Sequence, residues 1–128
     1  MNEPFRVMFV CTGNSCRSPM AEGLLKDKLK AMGIQNVEVS SSGTSAPPSV
    51  PPTREAQMVM VEHGHSIADH RSTQLLTSMV YDQDLIIVMA QNHYYYLTDA
   101  LPAMQHKIFL LKAYGKNGVI GDVNDPIG

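Results

Sequence analysis

Cys11 and Cys16 lie five positions apart, and Arg17 and Ser18 directly follow the second of them. The full segment is Cys11-Thr12-Gly13-Asn14-Ser15-Cys16-Arg17-Ser18. These residue types suit the capture of a tetrahedral oxyanion. A loop of this size curls so that successive backbone N–H groups share one centre. Gly13 and Asn14 tolerate the left-handed backbone angles that such a curl needs. Arg17 offers a planar fork of donors to two oxygens. Positive surroundings favour a thiolate over a thiol, and a thiolate beneath a bound phosphate is placed for in-line attack on phosphorus. Ser18 can donate a hydrogen bond to that thiolate. The bland alternative is an inert cysteine at a strand end beside a surface arginine. The elements on either side of the loop argue against it.

Residues 6–10 are a short apolar run rich in strand formers, which predicts a buried strand that ends at Cys11. Ser18-Pro19 is a helix opening, with serine as N-cap and proline first inside. Ala21, Leu24, Leu25, Leu29 and Met32 recur at helical spacing, and Gly33 suits the end. The helix thus adds its own N-terminal donors and positive dipole end to the loop. Residues 37–40 alternate as a second strand. Four prolines, at 47, 48, 51 and 52, make the next stretch a loop. Further helices are expected from Thr53 to Gly64, with Ala56, Met60 and Val59 on the apolar face, over 72–80, and over 91–100. Residues 84–89 and 107–111 read as strands, and 115–128 as a loop that carries Asp122 and Asp125. Alternation of this kind predicts an α/β fold: a four-stranded parallel sheet with helices on both faces. Such sheets bind ligands beyond the carboxyl ends of their strands, where Cys11 falls.

The 128 residues make one domain, 1–128. Ten basic against twelve acidic side chains give a net charge of −2, so no nucleic-acid footprint is present and any bound anion must be held by local donors. The longest apolar run, 85–90, is far too short to span a bilayer, and the N-terminus has no cationic start followed by an apolar stretch. A cytoplasmic location with no membrane partner is expected. The five histidines lack metal-ligand pairing, and the chemistry of the loop needs no metal or other cofactor. Tyr94-Tyr95-Tyr96 reads as ordinary amphipathic packing, with at least one ring exposed. A phosphoester reaction also needs a proton for the leaving group. Asp122 and Asp125 both qualify, and Asp125 precedes Pro126, which stiffens the loop.

The stretch from Val10 to Glu22 resembles the signature of the low-molecular-weight protein tyrosine phosphatase family. Ser41-Ser42-Gly43-Thr44, Asp69-His70-Arg71-Ser72 and Asp125-Pro126 follow in the order that family shows, so the resemblance covers essentially the whole chain. It implies a flavodoxin-like phosphatase fold, Cys11 as nucleophile, Arg17 as phosphate binder and Asp125 as general acid. Thr12, Gly13, Asn14, Ser15, Cys16, Arg17 and Ser18 would form the phosphate cradle, with Asn14 and Ser18 holding its shape. It also implies a protective role for Cys16, through a reversible disulfide with the nucleophile. The implied partners are a phosphorylated protein and, in the loop, inorganic phosphate or another oxyanion. The family carries one more helix after the Asp-Pro loop. The sequence ends at Gly128, so that helix is expected to be lacking, with the resulting apolar groove covered by a second copy in a dimer.

Tyrosine-specific members carry bulky apolar residues at the positions of Thr12 and Ser15, and aromatics in the proline-rich loop and after Asp-Pro. Here residues 46–52 contain no aromatic, and Ile127 follows Asp125-Pro126. The arginine-phosphatase branch has a small hydroxyl residue at the Ser15 position, and residues 107–112 and 121–126 are similar to that branch, although it too carries an aromatic after Asp-Pro. Phosphotyrosine is the expected substrate, with protein phosphoarginine as the competitor. The cradle is also similar to that of thiol-coupled arsenate reductases, but those need further cysteines in the second half, and none follows Cys16. A non-catalytic phosphate-binding module would have no need of Cys11, Arg17 and Asp125 together.

Overall fold

A computed structural model describes residues 3–111. Strand β1, Phe5–Cys11, is buried from Val7 onward, on both faces, as a central strand of a parallel sheet must be. It pairs in parallel with β2, Val37–Gly43, on one side and with β3, Leu85–Val88, on the other. Strand β4, Ile108–Leu110, extends the sheet beyond β3, giving the order β2-β1-β3-β4. The chain thus moves outward from β1 in one direction, then crosses back over it in the other. With right-handed crossovers, that reversal puts the connecting helices on opposite faces and opens a crevice at the carboxyl ends of β1 and β3.

Helix α1, Arg17–Ala31, lays Ala21, Leu25 and Leu29 against Val7, Phe9 and Val39. Leu24, 45% exposed, lies off this stripe, and Met32 is past the last turn. The sequence pattern had placed both on the apolar face. The opposite face packs Met8, Val10, Ile86, Val88, Ile108 and Leu110 against α3, Thr77–Asp82, and α4, Gln91–Ala100, through Val80 and Leu97. Full burial of an aliphatic side chain such as Ile86 contributes ~1.5–3 kcal/mol. Helix α2, Arg54–Glu62, buries Ala56 and Met60 against Cys16 and Ile67 and leaves Val59 exposed. Thr53 caps it by accepting from the Ala56 N–H at 3.2 Å. Gly33 (φ 72°) and Gly64 (φ 82°) follow α1 and α2 in the left-handed conformation expected at such ends. Tyr95 and Tyr96 are exposed, and Tyr94 packs on the core.

Three expected boundaries differ. Strand β2 runs on to Gly43, past the expected end at residue 40. Helix α1 begins at Arg17 with Cys16 as N-cap, so Ser18 lies inside the first turn. Its hydroxyl turns to the cysteine loop instead of capping. Of the expected 72–80 helix only 77–80 is helical, as part of α3, which continues to Asp82. Before it, Gly43 N–H donates to the Thr73 carbonyl and Leu75 N–H to the Gly43 carbonyl, so this backbone runs extended beside the end of β2. On the α1 face, Leu85, Ile87 and Leu111 are only partly buried. The expected final helix, its groove and the loop with Asp122, Asp125 and Ile127 lie outside the described residues, as does any dimer contact made through them.

Candidate active site

Residues 11–18 link the end of β1 to the first turn of α1, at the crevice. Their carbonyls are held outward by four separate donors. Thr44 N–H donates to the Cys11 carbonyl, Ser45 N–H to Thr12 and Thr53 N–H to Ser15, at 2.8–2.9 Å, and His70 Nε2 donates to Asn14 at 2.9 Å. A trans peptide points its N–H away from its own C=O. Outward carbonyls at 11, 12, 14 and 15 therefore turn the N–H groups of Thr12, Gly13, Ser15 and Cys16 toward the inside of the loop. This is the nest that the composition of the loop predicts. Gly43 makes the curl possible: a Cβ there would lie 2.3 Å from the Thr12 carbonyl oxygen and 2.9 Å from the Asn14 nitrogen. Of the two residues expected to take left-handed angles, Asn14 does so, at φ 53°.

Asn14 is fully buried, and its neighbours fix the orientation of its amide. Thr73 N–H donates to Oδ1 at 2.8 Å, so Nδ2 is the end that faces Ser18 Oγ at 2.8 Å and Ser41 Oγ at 2.9 Å. Nδ2 has a hydrogen for each. Ser41 in turn donates to Glu22 Oε1 at 2.5 Å. Ser18, already accepting from Asn14, is left to direct its own hydrogen to Cys11 Sγ, 2.8 Å away. Asn14 N–H also reaches Sγ, at 3.2 Å. Two donors thus converge on the sulfur. The buried polar groups of this network supply one another with partners, as their burial demands.

Arg17 is the first residue of α1, partly buried beside the loop. Thr12 is exposed at the rim, with Oγ1 2.8 Å from Nε2 of His93 in the first turn of α4. Cys16 is buried, and no disulfide joins it to Cys11. The structure thus brings together Cys11, Thr12, Gly13, Asn14, Ser15, Cys16, Arg17 and Ser18, while Asp125 lies outside the described residues. Sequence reasoning had assigned no role to Glu22, Ser41, His70, Thr73 or His93. One signal was available for Ser41: strand β2 closes on Ser40-Ser41-Ser42 at its buried carboxyl end, where a hydroxyl needs a partner. His70 Nδ1 lies 3.6 Å from the same Glu22 oxygen, which joins the outer brace of the loop to the Asn14 network. Among the described residues, no helix is long and apolar enough to cross a membrane.

Residues 6–128 match the description "low molecular weight phosphotyrosine protein phosphatase". The chain is 38% identical to the protein-arginine-phosphatase of Geobacillus stearothermophilus, over 98% of this chain and 80% of that protein. It is 34% identical to the low molecular weight protein-tyrosine-phosphatase of Streptomyces coelicolor, over 95% of this chain and 76% of the relative. The crystal structure of the low molecular weight protein tyrosine phosphatase from T. tengcongensis superposes with a TM-score of 0.87 at 43% identity, covering 97% of this chain and 83% of that one. The loop geometry, the sheet order and these likenesses agree, and the chain belongs to the low molecular weight protein tyrosine phosphatase family, which includes the arginine-phosphatase branch.

Proposed function

We propose that the chain removes phosphate from phosphorylated proteins through a phosphocysteine intermediate, with phosphotyrosine-type phosphomonoesters as the main substrate class. The observation that carries this reading is the Ser18 hydroxyl and the Asn14 N–H both aimed at Cys11 Sγ on the floor of the nest. The inward N–H groups and the Arg17 guanidinium hold the phosphoryl oxygens. The Cys11 thiolate attacks phosphorus, the bond to the leaving oxygen breaks, and that oxygen takes a proton from Asp125. Water then attacks the phosphocysteine and gives its proton to the Asp125 carboxylate. The S–P bond breaks, phosphate leaves, and Ser18 stabilises the returning thiolate. Buried at the N-cap of α1, Cys16 is the partner for a reversible disulfide with Cys11 that spares the nucleophile from further oxidation. Reduced thiols of this kind fit a cytoplasmic setting.

The second reading, protein phosphoarginine by the same mechanism, draws on two observations. The cradle carries Thr12 and Ser15 where tyrosine-specific members carry bulk, and two of the relatives, each 38% identical, are protein-arginine-phosphatases. The test of the shared mechanism is metal-free hydrolysis of p-nitrophenyl phosphate. Wild type should show a burst of nitrophenol and steady turnover, and Cys11→Ser should lose both. Full turnover in Cys11→Ser would overturn the mechanism.

A further inference from the structure

His93 is 1% exposed, among the largest fully buried side chains of the described residues, and it occupies the first turn of α4, far in sequence from the cysteine loop. A leucine would fill such a position without the cost of taking two ring nitrogens out of water. Through Nε2 the imidazole reaches Oγ1 of Thr12, the residue next to Cys11, in a 2.8 Å hydrogen bond. The two partners differ in how they are fixed. His93 is locked by burial, on a helix whose Leu97 is in the core, and Met89 N–H pairs the end of β3 to the Val10 carbonyl at 3.0 Å. The Thr12 backbone is pinned by Ser45 N–H at 2.9 Å, but its side chain is exposed, so packing alone leaves it several staggered positions. Threonine carries a hydroxyl and a methyl on one Cβ. Fixing the hydroxyl fixes χ1, and with it the place of the methyl.

We propose that His93 is a positioning residue that sets the Thr12 rotamer and thereby the shape of the cradle rim that the leaving group passes. Thr12 and His93 act as one unit in discriminating between an aryl oxygen and a guanidinium nitrogen as leaving group. This inference rests on the phosphatase reading above, and its test separates the two. The three-bond couplings of Thr12, measured by NMR, report its rotamer without any turnover. Wild type should show one rotamer and His93→Leu an average over several. Kinetically, the ratio of kcat/KM on a phosphotyrosine peptide to that on a phosphoarginine peptide should shift about fivefold in Thr12→Val and in His93→Leu, in the same direction, the scale of one lost hydrogen bond. The double variant should shift no further than either single one. In His93→Leu, where no residue of the nest is changed, inhibition by inorganic phosphate should stay within about twofold of wild type. His93→Gln, which keeps a polar group in reach, should recover most of the wild-type ratio. The proposal is overturned by a Thr12 that averages its rotamers in wild type, by an unchanged ratio in Thr12→Val, or by additive shifts. It also falls if phosphate affinity drops in step with both activities, as a general structural loss would produce. A wild type inert toward both peptides and toward p-nitrophenyl phosphate would instead overturn the phosphatase reading, together with the selectivity built on it.

Discussion

Ser15 shows what a single side chain decides in this cradle. Its carbonyl is held outward by Thr53 N–H at 2.8 Å, and a Cβ on Gly13, two residues before it, would lie 3.4 Å from its hydroxyl, so the side chain lies along the loop with little bulk. An isoleucine there would put three carbons in place of the hydroxyl, so that a flat ring can pack and a guanidinium loses a polar neighbour. Ser15→Ile should therefore raise the preference for phosphotyrosine over phosphoarginine peptides by about tenfold, the scale on which a pocket discriminates by one or two methylenes. The measurement is kcat/KM for both peptides, and an unchanged preference would refute selection by the cradle. The curl of the loop and the residues it gathers were legible in the sequence because Cys11, Asn14, Arg17 and Ser18 lie within one short segment, where residue type and spacing suffice. The partners of Asn14 were not. Ser41 and Thr73 are 27 and 59 positions away, and nothing in periodicity says which loop residue a distant strand end will face.

At the scale of elements, strand ends shape the site more than helices do. Three segments meet at the loop: the end of β1, the end of β2, and the extended stretch before α3. Strands β1, β3 and β4 were readable from their apolar runs and β2 from its alternation. The stretch at 72–76 was misjudged as helical because its residues carry no strong propensity, and backbone pairing with Gly43 outweighs local preference there. The Ser18 cap was misjudged for a related reason: a serine before proline is a good N-cap, but Cys11 and Asn14 claim its hydroxyl. Gly43 is the hinge of this arrangement. Any Cβ would drive into the backbone at Thr12 and Asn14, which cannot move without opening the nest. Gly43→Ala should leave the sheet folded, at a cost of roughly 1–3 kcal/mol, and should weaken inhibition by inorganic phosphate at least tenfold. Wild-type phosphate inhibition in a folded Gly43→Ala protein would show that the loop is not held by this close approach.

At the scale of the whole molecule, the anion capture proposed for the loop must work against a net charge of −2. It can, because the donors are local and fixed, and the field of distant surface charges is screened within about 10 Å at ordinary ionic strength. The same donors tie together segments far apart in the chain. The loop at 11–18 is braced by Thr44, Ser45, Thr53, His70 and Thr73, so filling it with an anion stabilises much of the fold and not a single turn. Inorganic phosphate at 100 times its Kd should add ~2.7 kcal/mol to folding by linkage, a rise in Tm of about 10 °C for a domain of this size. Chloride at equal ionic strength should give almost none of it. Cys11→Ser should keep the shift, since the role proposed for the sulfur is to attack phosphate and not to hold it, and Arg17→Ala should lose most of it. Differential scanning fluorimetry on the three proteins separates the contributions. An equal rise with chloride, or an undiminished one in Arg17→Ala, would mean that the anion is held by the general field of the protein and not by the cradle.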